Sequence, residues 1–385
     1  MDKDLESLDA IIYECRHVRG SVISYTAEEN CHEAPVLDLT PANHPLRWSW
    51  ARKHLCLIQV AMHAATAGFS SAIILPGAAQ IAKEFNVSMQ SATYQAGVGV
   101  LFLGLGNFVW VPLANAYGRR PVLVSSMFLA CLTSLGGSFA RSYAQLMLAR
   151  IVQHAANSSG LVVGSAVVVD IFYPHERGQK TGVWSQMATL GPSFGPLVAG
   201  TIIKYHGWRW SLYLTALLNG AQALLYLFTF YETSFAQREA QNISANEGFK
   251  QLFRRPKKVN SLGSKAILGS LFFIQSPVVI LCTLAYAVTF AIVLIGLPQI
   301  VSISFSELYN FGPARVGLVF ASAAIGVIIG EQLSGPLSDR LMKHEIKHAR
   351  ETQRLARLEY RLRAALPGFV LAPAGLVIFG ITLGK

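Results

Sequence analysis

Charged side chains are scarce in this sequence. Asp, Glu, Lys and Arg account for 14% of the 385 residues, and hydrophobic residues account for 52%. Soluble domains carry about 25% charged residues, so this shortage excludes an ordinary soluble domain. Because a backbone inside a bilayer must satisfy its own hydrogen bonds, we expect an all-α integral membrane protein.

Cysteines and nucleotide-binding patterns are also sparse. The cysteines show neither a disulfide framework nor the spacing of a metal site; they are Cys15, Cys31, Cys56, Cys131 and Cys282. The sequence has no glycine-rich loop followed by Lys and Ser or Thr, which excludes the common ATP-binding loop. We therefore expect no metal and no cofactor, and an energy source in an ion gradient.

Long apolar runs dominate what is present. Nine runs approach the ~20 residues that a helix needs to cross a bilayer. They are 55–78, 91–114, 122–140, 143–169, 181–203, 210–231, 277–301, 316–337 and 367–384. Of the 53 Asp, Glu, Lys and Arg residues, only Arg150 and Glu331 lie within these runs. Ionisable residues at that depth are costly, so both are predicted to face the protein interior or a cavity.

Positive charge is concentrated on one side of these runs. The formal net charge is +11. If the N-terminus is cytoplasmic, 25 of the 32 Lys and Arg residues lie on the cytoplasmic side and six on the other. This asymmetry predicts a cytoplasmic N-terminus. A basic surface beside anionic lipid accounts for the net charge, so the expected partner is the bilayer and not nucleic acid.

The runs fall into two sets. Residues 1–46 are polar and are expected to form a disordered cytoplasmic tail, and 47–231 contain six runs. A basic cytoplasmic connector at 232–276 precedes the remaining three runs in 277–385. The sequence thus predicts a six-helix half followed by part of a second half.

A short motif occurs once in each set, on the same side of the membrane. The first copy is PLANAYGRRP at 112–121, and the second is GPLSDRL at 335–341. Glycine permits a tight turn, and arginine binds helix C-terminal carbonyls and carboxylates. We predict a cytoplasmic gate from these copies, with topology anchoring by positive charge as the alternative. The gate residues are Gly118, Arg119, Arg120, Gly335, Asp339 and Arg340.

A ladder of glycine and proline marks the run at 182–200, GVWSQMATLGPSFGPLVAG. In a soluble helix glycine costs about 1 kcal/mol and proline about 3 kcal/mol. In a membrane, small residues allow close packing and proline allows bending. We predict a helix that packs closely on the second half and bends; generic small-residue packing is the alternative. The ladder positions are Gly182, Gly191, Gly195, Pro196 and Gly200.

Together these residues resemble the major facilitator superfamily, and within it the fungal drug/proton antiporters with twelve spans. The resemblance covers 47–385 and includes an Arg-x-x-Gln pattern at Arg150 and Gln153. His154 stands where that family commonly has glycine, and Asn115 stands where it usually has an acidic residue. The resemblance implies a major facilitator fold with a complete N-terminal half and about nine helices in all.

The same resemblance implies a transporter and not an enzyme. It would export drugs, toxins or secondary metabolites by alternating access, driven by the proton gradient. We expect a monomer in the plasma membrane, with the vacuolar membrane as the alternative location. The candidates for proton coupling are Arg150, His154, Asp170 and Glu331. For Arg150, a structural role bonded to helix carbonyls is the alternative.

Polar residues within the apolar runs are the candidates for substrate contact. They are His63, Asn107, Gln186, Asn219, Gln222 and Gln299. Polar groups at such positions face the interior or a cavity, and a helix–helix hydrogen bond is the alternative for each. Since few charges are available there, the expected cargo is an uncharged or weakly cationic amphipathic organic molecule.

The second set of runs is shorter than the resemblance implies, since three of twelve spans are missing after the run at 367–384. We therefore expect a truncated gene product or a fragment. Two alternative functions follow. One is a proton-coupled importer of small cations or polyamines, and the other is a truncated membrane protein that does not transport.

Overall fold

The computed structural model describes residues 44–234, 276–351, 363 and 366–383. Within these ranges the chain is helical and contains no β-strand. Most of the predicted tail at 1–46 and of the predicted connector at 232–276 lies outside the described residues.

We number the α-helices in chain order. They are α1 Trp50–Ala72, α2 Ala78–Phe85, α3 Met89–Leu105, α4 Asn107–Tyr117, α5 Arg119–Ser138, α6 Tyr143–Asn157, α7 Ser159–Ile171, α8 Pro174–His206, α9 Arg209–Thr229, α10 Pro277–Thr289, α11 Leu297–Glu307, α12 Pro313–Glu351 and α13 Leu366–Leu383. A π-helical stretch, Phe290–Gly296, joins α10 to α11.

Six helical segments of the described chain are long and apolar enough to cross a membrane. They are Trp50–Phe85, Met89–Tyr117, Arg119–Ser138, Arg209–Thr229, Val279–Glu307 and Pro313–Ser334. The predicted runs 143–169 and 181–203 are helical as well. Polar residues around Asn157 lower the apolar character of the first, and glycine, proline and uncharged polar residues lower that of the second. The run at 367–384 forms the shorter apolar helix α13. For these three runs, membrane crossing stays a prediction.

Local sequence signals set several helix boundaries. Gly118 separates α4 from α5 with φ +102°, a left-handed conformation that L side chains rarely adopt, which confirms the predicted turn. Asn86 ends α2 at φ +56°. Ser88 and Ser142 cap α3 and α6, because each side chain accepts a hydrogen bond from the backbone N–H three residues later.

Three apolar clusters hold the helices together. One gathers residues from α1, α5, α7 and α9 around Leu57, Leu123 and Tyr226. A second, around Ile73, Ile203 and Leu212, lies at the opposite ends of the helices of the N-terminal half. The third joins the two halves; its buried members are Ala72, Leu75, Ala96, Val301, Val316 and Phe320. The α8 helix is central, since it packs on α1 along much of its length and on α12 across the boundary between the halves.

Candidate functional site

Arg150 on α6 is buried, with 1% of its surface exposed. Its Nη1 donates to Gln153 Oε1 at 2.8 Å, and its Nη2 donates to the carbonyl oxygens of Ser70 at 2.6 Å and Ser71 at 3.4 Å. Within the described ranges no carboxylate lies within ion-pair distance of this guanidinium, and Nε has no hydrogen-bond partner. Arg150 therefore links α6 to α1 through carbonyls, as the structural alternative predicts, and lacks a countercharge there.

His154 lies one turn beyond Arg150 and is equally buried. Its Nδ1 lies 2.7 Å from the Arg150 carbonyl oxygen; a carbonyl only accepts, so Nδ1 carries the hydrogen. A Cβ on Gly99 of α3 would lie 2.8 Å from His154 Nε2, so the ring fills space that only glycine leaves. Nε2 has no partner among the described atoms. The neutral ring thus presents a buried proton acceptor next to Arg150.

Asp170, the third coupling candidate, lies away from this pair at the end of α7. Its Oδ2 accepts a hydrogen bond from Arg119 Nε at 3.3 Å and another from the Thr233 hydroxyl at 3.5 Å. Asp170 follows the predicted run 143–169, and burial raises the pKa of its carboxyl group, while the Arg119 charge partly opposes that rise. The structure therefore groups Asp170 with the gate motif and not with Arg150.

The first gate motif is held by a carboxylate at the end of α9. Glu232 accepts hydrogen bonds from the backbone N–H groups of Arg119 at 2.9 Å and Arg120 at 3.1 Å. These are orphan donors of the first turn of α5, so Glu232 acts as its cap. Arg120 Nη2 in turn donates to the Leu227 carbonyl at 2.8 Å. The α4–α5 turn and the ends of α7 and α9 are thus joined in one polar cluster.

The second copy of the motif has a different local structure. Gly335, Asp339 and Arg340 lie inside the 39-residue helix α12, where a loop was expected, and Arg340 is exposed. For Gly335 and Asp339 only the backbone conformation is described. In the first copy Gly118 stands five residues after Leu113. Five residues after Leu337 of the second copy stands Met342, which is buried. Without glycine at the turn position, the helix continues.

Two of the ladder glycines pack on α1 and not on the second half. A Cβ on Gly195 would lie 2.7 Å from the Phe69 carbonyl oxygen, and one on Gly191 would lie 2.8 Å from the Phe69 amide nitrogen. The packing is reciprocal, because a Cβ on Gly68 would lie 2.6 Å from Pro192 Cδ. The prediction that these two positions meet the second half is wrong. They bring α1 and α8 of the same half into backbone contact.

Gly200 does meet the second half. Its Cβ would lie 2.6 Å from the Pro313 carbonyl oxygen and 2.9 Å from Gly317 Cα, and a Cβ on Gly317 would lie 2.6 Å from the Pro196 carbonyl oxygen. We call this contact of α8 with α12 the α8–α12 seam. At the same end of the bundle a second contact links the halves, because the Ser302 hydroxyl donates a hydrogen bond to the Leu75 carbonyl at 2.7 Å. A Cβ on Gly182, at the other end of the ladder, would meet no atom within 4 Å.

Glu331 lies further along the α8–α12 seam. Its Oε1 is 3.5 Å from the hydroxyl of Thr189 on α8, and that hydroxyl is 2.6 Å from the Ser185 carbonyl oxygen. Glu331 is half-buried. The fourth coupling candidate therefore lies on the boundary between the halves, one turn from the substrate candidate Gln186.

The six substrate candidates separate into two groups. Three of them make helix–helix hydrogen bonds inside the N-terminal half: His63 with Tyr226 at 3.2 Å, Asn219 with Ser134 at 3.2 Å and Gln222 with the Gln59 carbonyl at 3.1 Å. These three are buried and bonded as the helix–helix alternative expects, and substrate contact stays a prediction for them. Asn107 has a buried Oδ1 without a partner in the described chain, and Gln186 is half-buried. The Gln299 amide lies 3.1 Å from a Cβ position on Gly97, where the halves meet.

Sequence reasoning missed several residues that the geometry makes important. Gly68 and Gly317 are the partners of the ladder, and their signal was a glycine within an apolar run. Glu232 is another such residue, and nothing in its spacing shows that it caps α5. Thr189, one turn after Gln186, carries no signal of its own.

Comparison with other proteins was made on the whole chain. Residues 60–384 match the Major Facilitator Superfamily. The MFS transporter fsa7 of Fusarium sp. is 28% identical over 347 residues, which is 88% of this chain and 67% of that protein. The cycloheximide resistance protein of Candida maltosa is 26% identical, over 90% of this chain and 64% of that protein. The efflux pump radE of Floropilus chiversii is 23% identical, over 89% of this chain and 64% of that protein.

The fold has a counterpart among solved structures. A bacterial homologue of the human lysosomal transporter Spinster, in an inward-facing and unoccupied conformation, superposes with a TM-score of 0.55 at 15% identity. That match covers 77% of this chain and 64% of the homologue. The chain spans about two thirds of the length of these relatives. With the family match extending over most of its residues, the chain belongs to the Major Facilitator Superfamily of membrane transporters.

Proposed function

We propose that this protein exports small amphipathic organic molecules in exchange for protons. The similarity to proteins named as efflux pumps and as a drug resistance protein supports export. We infer an uncharged or weakly cationic cargo, because Arg150 and Glu331 are the only Asp, Glu, Lys or Arg residues in the apolar runs. Cycloheximide, named for one relative, is the first cargo to test.

The geometry of the α8–α12 seam supports an alternating-access mechanism. At the end predicted to be extracellular, Gly200 and Gly317 bring the two halves into backbone contact, and the apolar cluster around Leu75 and Val316 lies beside them. At the end predicted to be cytoplasmic, a Cβ on Gly182 would meet no atom of the described residues within 4 Å. We infer an inward-facing arrangement, from which separation of the seam would open the outer side.

Glu331 is the residue that we propose binds the exchanged proton. The Thr189 hydroxyl lies 3.5 Å from Glu331 Oε1 across the seam and can donate to it. A change in the charge of Glu331 would therefore alter a contact between the two halves. Arg150 and His154 would assist proton coupling within the N-terminal half. Arg150 would contribute its buried positive charge, and His154 the ring nitrogen Nε2, which has no partner among the described atoms.

The experiment uses inside-out vesicles from yeast that express the chain, radiolabelled cycloheximide and an acidic lumen. We expect uptake that a protonophore abolishes. Glu331→Gln should remove the response to the pH gradient yet keep exchange of labelled for unlabelled cargo. Glu307→Gln, which changes an exposed carboxylate at the end of α11, is the matched control and should behave as the parent.

The alternatives predict other results. Accumulation by intact cells without efflux, with small cations or polyamines as cargo, would show an importer. A correctly folded chain that moves none of these compounds in either vesicle orientation would support a membrane protein that does not transport. A plasma-membrane or vacuolar location is decided by the fraction in which the tagged chain sediments.

A further inference from the structure

A cluster of cations and aromatic rings lies where α1 begins, α7 ends and α8 begins. We define this interface cluster by Trp50, Lys53, His54, Phe172, Tyr173 and Lys180. It lies at the end of the bundle that the charge distribution predicts to be cytoplasmic. The transport mechanism proposed above uses none of these residues.

Two ammonium groups of the cluster approach the same ring. The Nζ atoms of Lys53 and Lys180 lie 5.9 Å and 5.6 Å from the Phe172 ring centroid, and Lys53 Nζ is also 4.8 Å from the Tyr173 centroid. Neither lysine forms an ion pair with a carboxylate within the described part of the chain. Glu176 acts on Lys53 only from beyond that distance. Two like charges, one on the buried Lys53 and one on the half-buried Lys180, thus lie beside the same ring without a direct anionic partner there.

The hydrogen-bond pattern leaves donor capacity at Lys180. Its Nζ lies 3.1 Å from His54 Nε2; an ammonium only donates, so the imidazole accepts at Nε2. His54 Nδ1 then donates to the Trp50 carbonyl at 2.9 Å. A lysine ammonium has three N–H groups, and the described residues engage one of those of Lys180.

An exposed aromatic residue borders these cations. Trp50 stacks on His54 with ring centroids 4.1 Å apart and is 73% exposed. Tryptophan and tyrosine concentrate at the level of lipid headgroups, where one side of the ring is apolar and the other is hydrated. The cluster therefore combines a membrane-interface anchor with positive charge that no carboxylate of the described residues pairs directly.

We infer that the interface cluster binds the headgroup phosphate of an anionic phospholipid in the cytoplasmic leaflet. A phosphate group at the cluster would accept hydrogen bonds from these lysines and offset the two charges that lie beside Phe172. The surrounding Trp50 and Tyr173 place the site at the depth of the headgroups. This site is independent of the cargo and of the direction of transport.

The test is native mass spectrometry of the detergent-purified full chain, titrated with phosphatidylserine and with phosphatidylcholine of the same acyl chains. We expect the parent to retain phosphatidylserine preferentially. Each lysine near an anionic surface contributes about fivefold to binding, so K53Q/K180Q should weaken phosphatidylserine by roughly thirtyfold and leave phosphatidylcholine unchanged. K53R/K180R should restore the preference.

The matched control is K83Q/K204Q, which removes the same charge from two exposed lysines at the other end of the bundle. It should keep the preference. If K53Q/K180Q does not elute as a single species, Lys180→Gln alone should lose about fivefold. The inference is wrong if these variants bind phosphatidylserine as the parent does, if the parent does not distinguish the two lipids, or if millimolar inorganic phosphate displaces the lipid.

Discussion

Replacing Gly317 with alanine tests whether the α8–α12 seam holds the outer side closed. The new Cβ would lie 2.6 Å from the Pro196 carbonyl oxygen and 2.9 Å from Gly200 Cα. Carbon atoms in good contact are about 3.5–4.0 Å apart, so the two helices must separate by roughly 1 Å. Both contacted atoms belong to the backbone, and no side-chain rotation can relieve the clash.

The magnitude follows from the cost of overpacking. Inserting one carbon into a well-packed contact costs about 1–3 kcal/mol. In the outward-facing arrangement the seam is expected to be apart, so the cost falls on the inward-facing arrangement alone. A penalty of about 2 kcal/mol shifts the ratio of the two arrangements about thirtyfold towards the open seam.

The assay measures the distance between spin labels at Lys204 and Arg315, two exposed positions that flank the seam, after replacement of the native cysteines. Gly317→Ala should populate a longer distance than the parent. Gly326→Ala, on the same helix, is the control, since a Cβ there would meet no atom of the described residues within 4 Å. Identical distance distributions for both variants would refute the assigned role of the seam.

Three further substitutions test the remaining sites. Glu232→Ala removes the cap of α5 and should cost about 1 kcal/mol, seen as a Tm lower by about 2–4 °C in a fluorescence melt; an unchanged Tm would contradict the capping role. Arg150→Ala should abolish gradient-driven efflux of labelled cycloheximide at normal membrane abundance, because the buried positive charge is lost, and efflux at the parent rate would exclude a coupling role. Gly195→Leu should force α1 and α8 apart and stop the same efflux, whereas normal efflux would mean that their close packing is dispensable.

Composition and spacing predicted the helical class and the turn at Gly118, since both depend on local properties of the chain. The glycine ladder predicted close packing, but not its partners. Helix periodicity says which residues share a face and not which helix meets that face, so Gly191 and Gly195 were assigned to the wrong half. Only the tertiary arrangement distinguishes Gly200, which contacts α12, from these two.

The polar candidates show the same limit at the site. Arg150 was expected to be buried because a charge in an apolar run must avoid lipid, and this is confirmed. His63 and Gln222 have the same sequence signature as a cavity residue, yet they form hydrogen bonds to Tyr226 and Gln59 between helices. A polar residue in an apolar run reveals its need for a partner, but the partner is fixed by residues far away in the chain.

The continuous helix α12 has a mechanical consequence. Its 39 residues extend for about 58 Å, nearly twice the thickness of the hydrocarbon core, so roughly 25 Å project beyond the bilayer. About 51 Å of helix separate Gly317 at the seam from Glu351, so a tilt of about 10° there would move the projecting tip sideways by roughly 9 Å. Replacing the turn glycine of the motif by Met342 thus turns a membrane helix into a rigid lever that converts small motions between the halves into larger displacements outside the membrane.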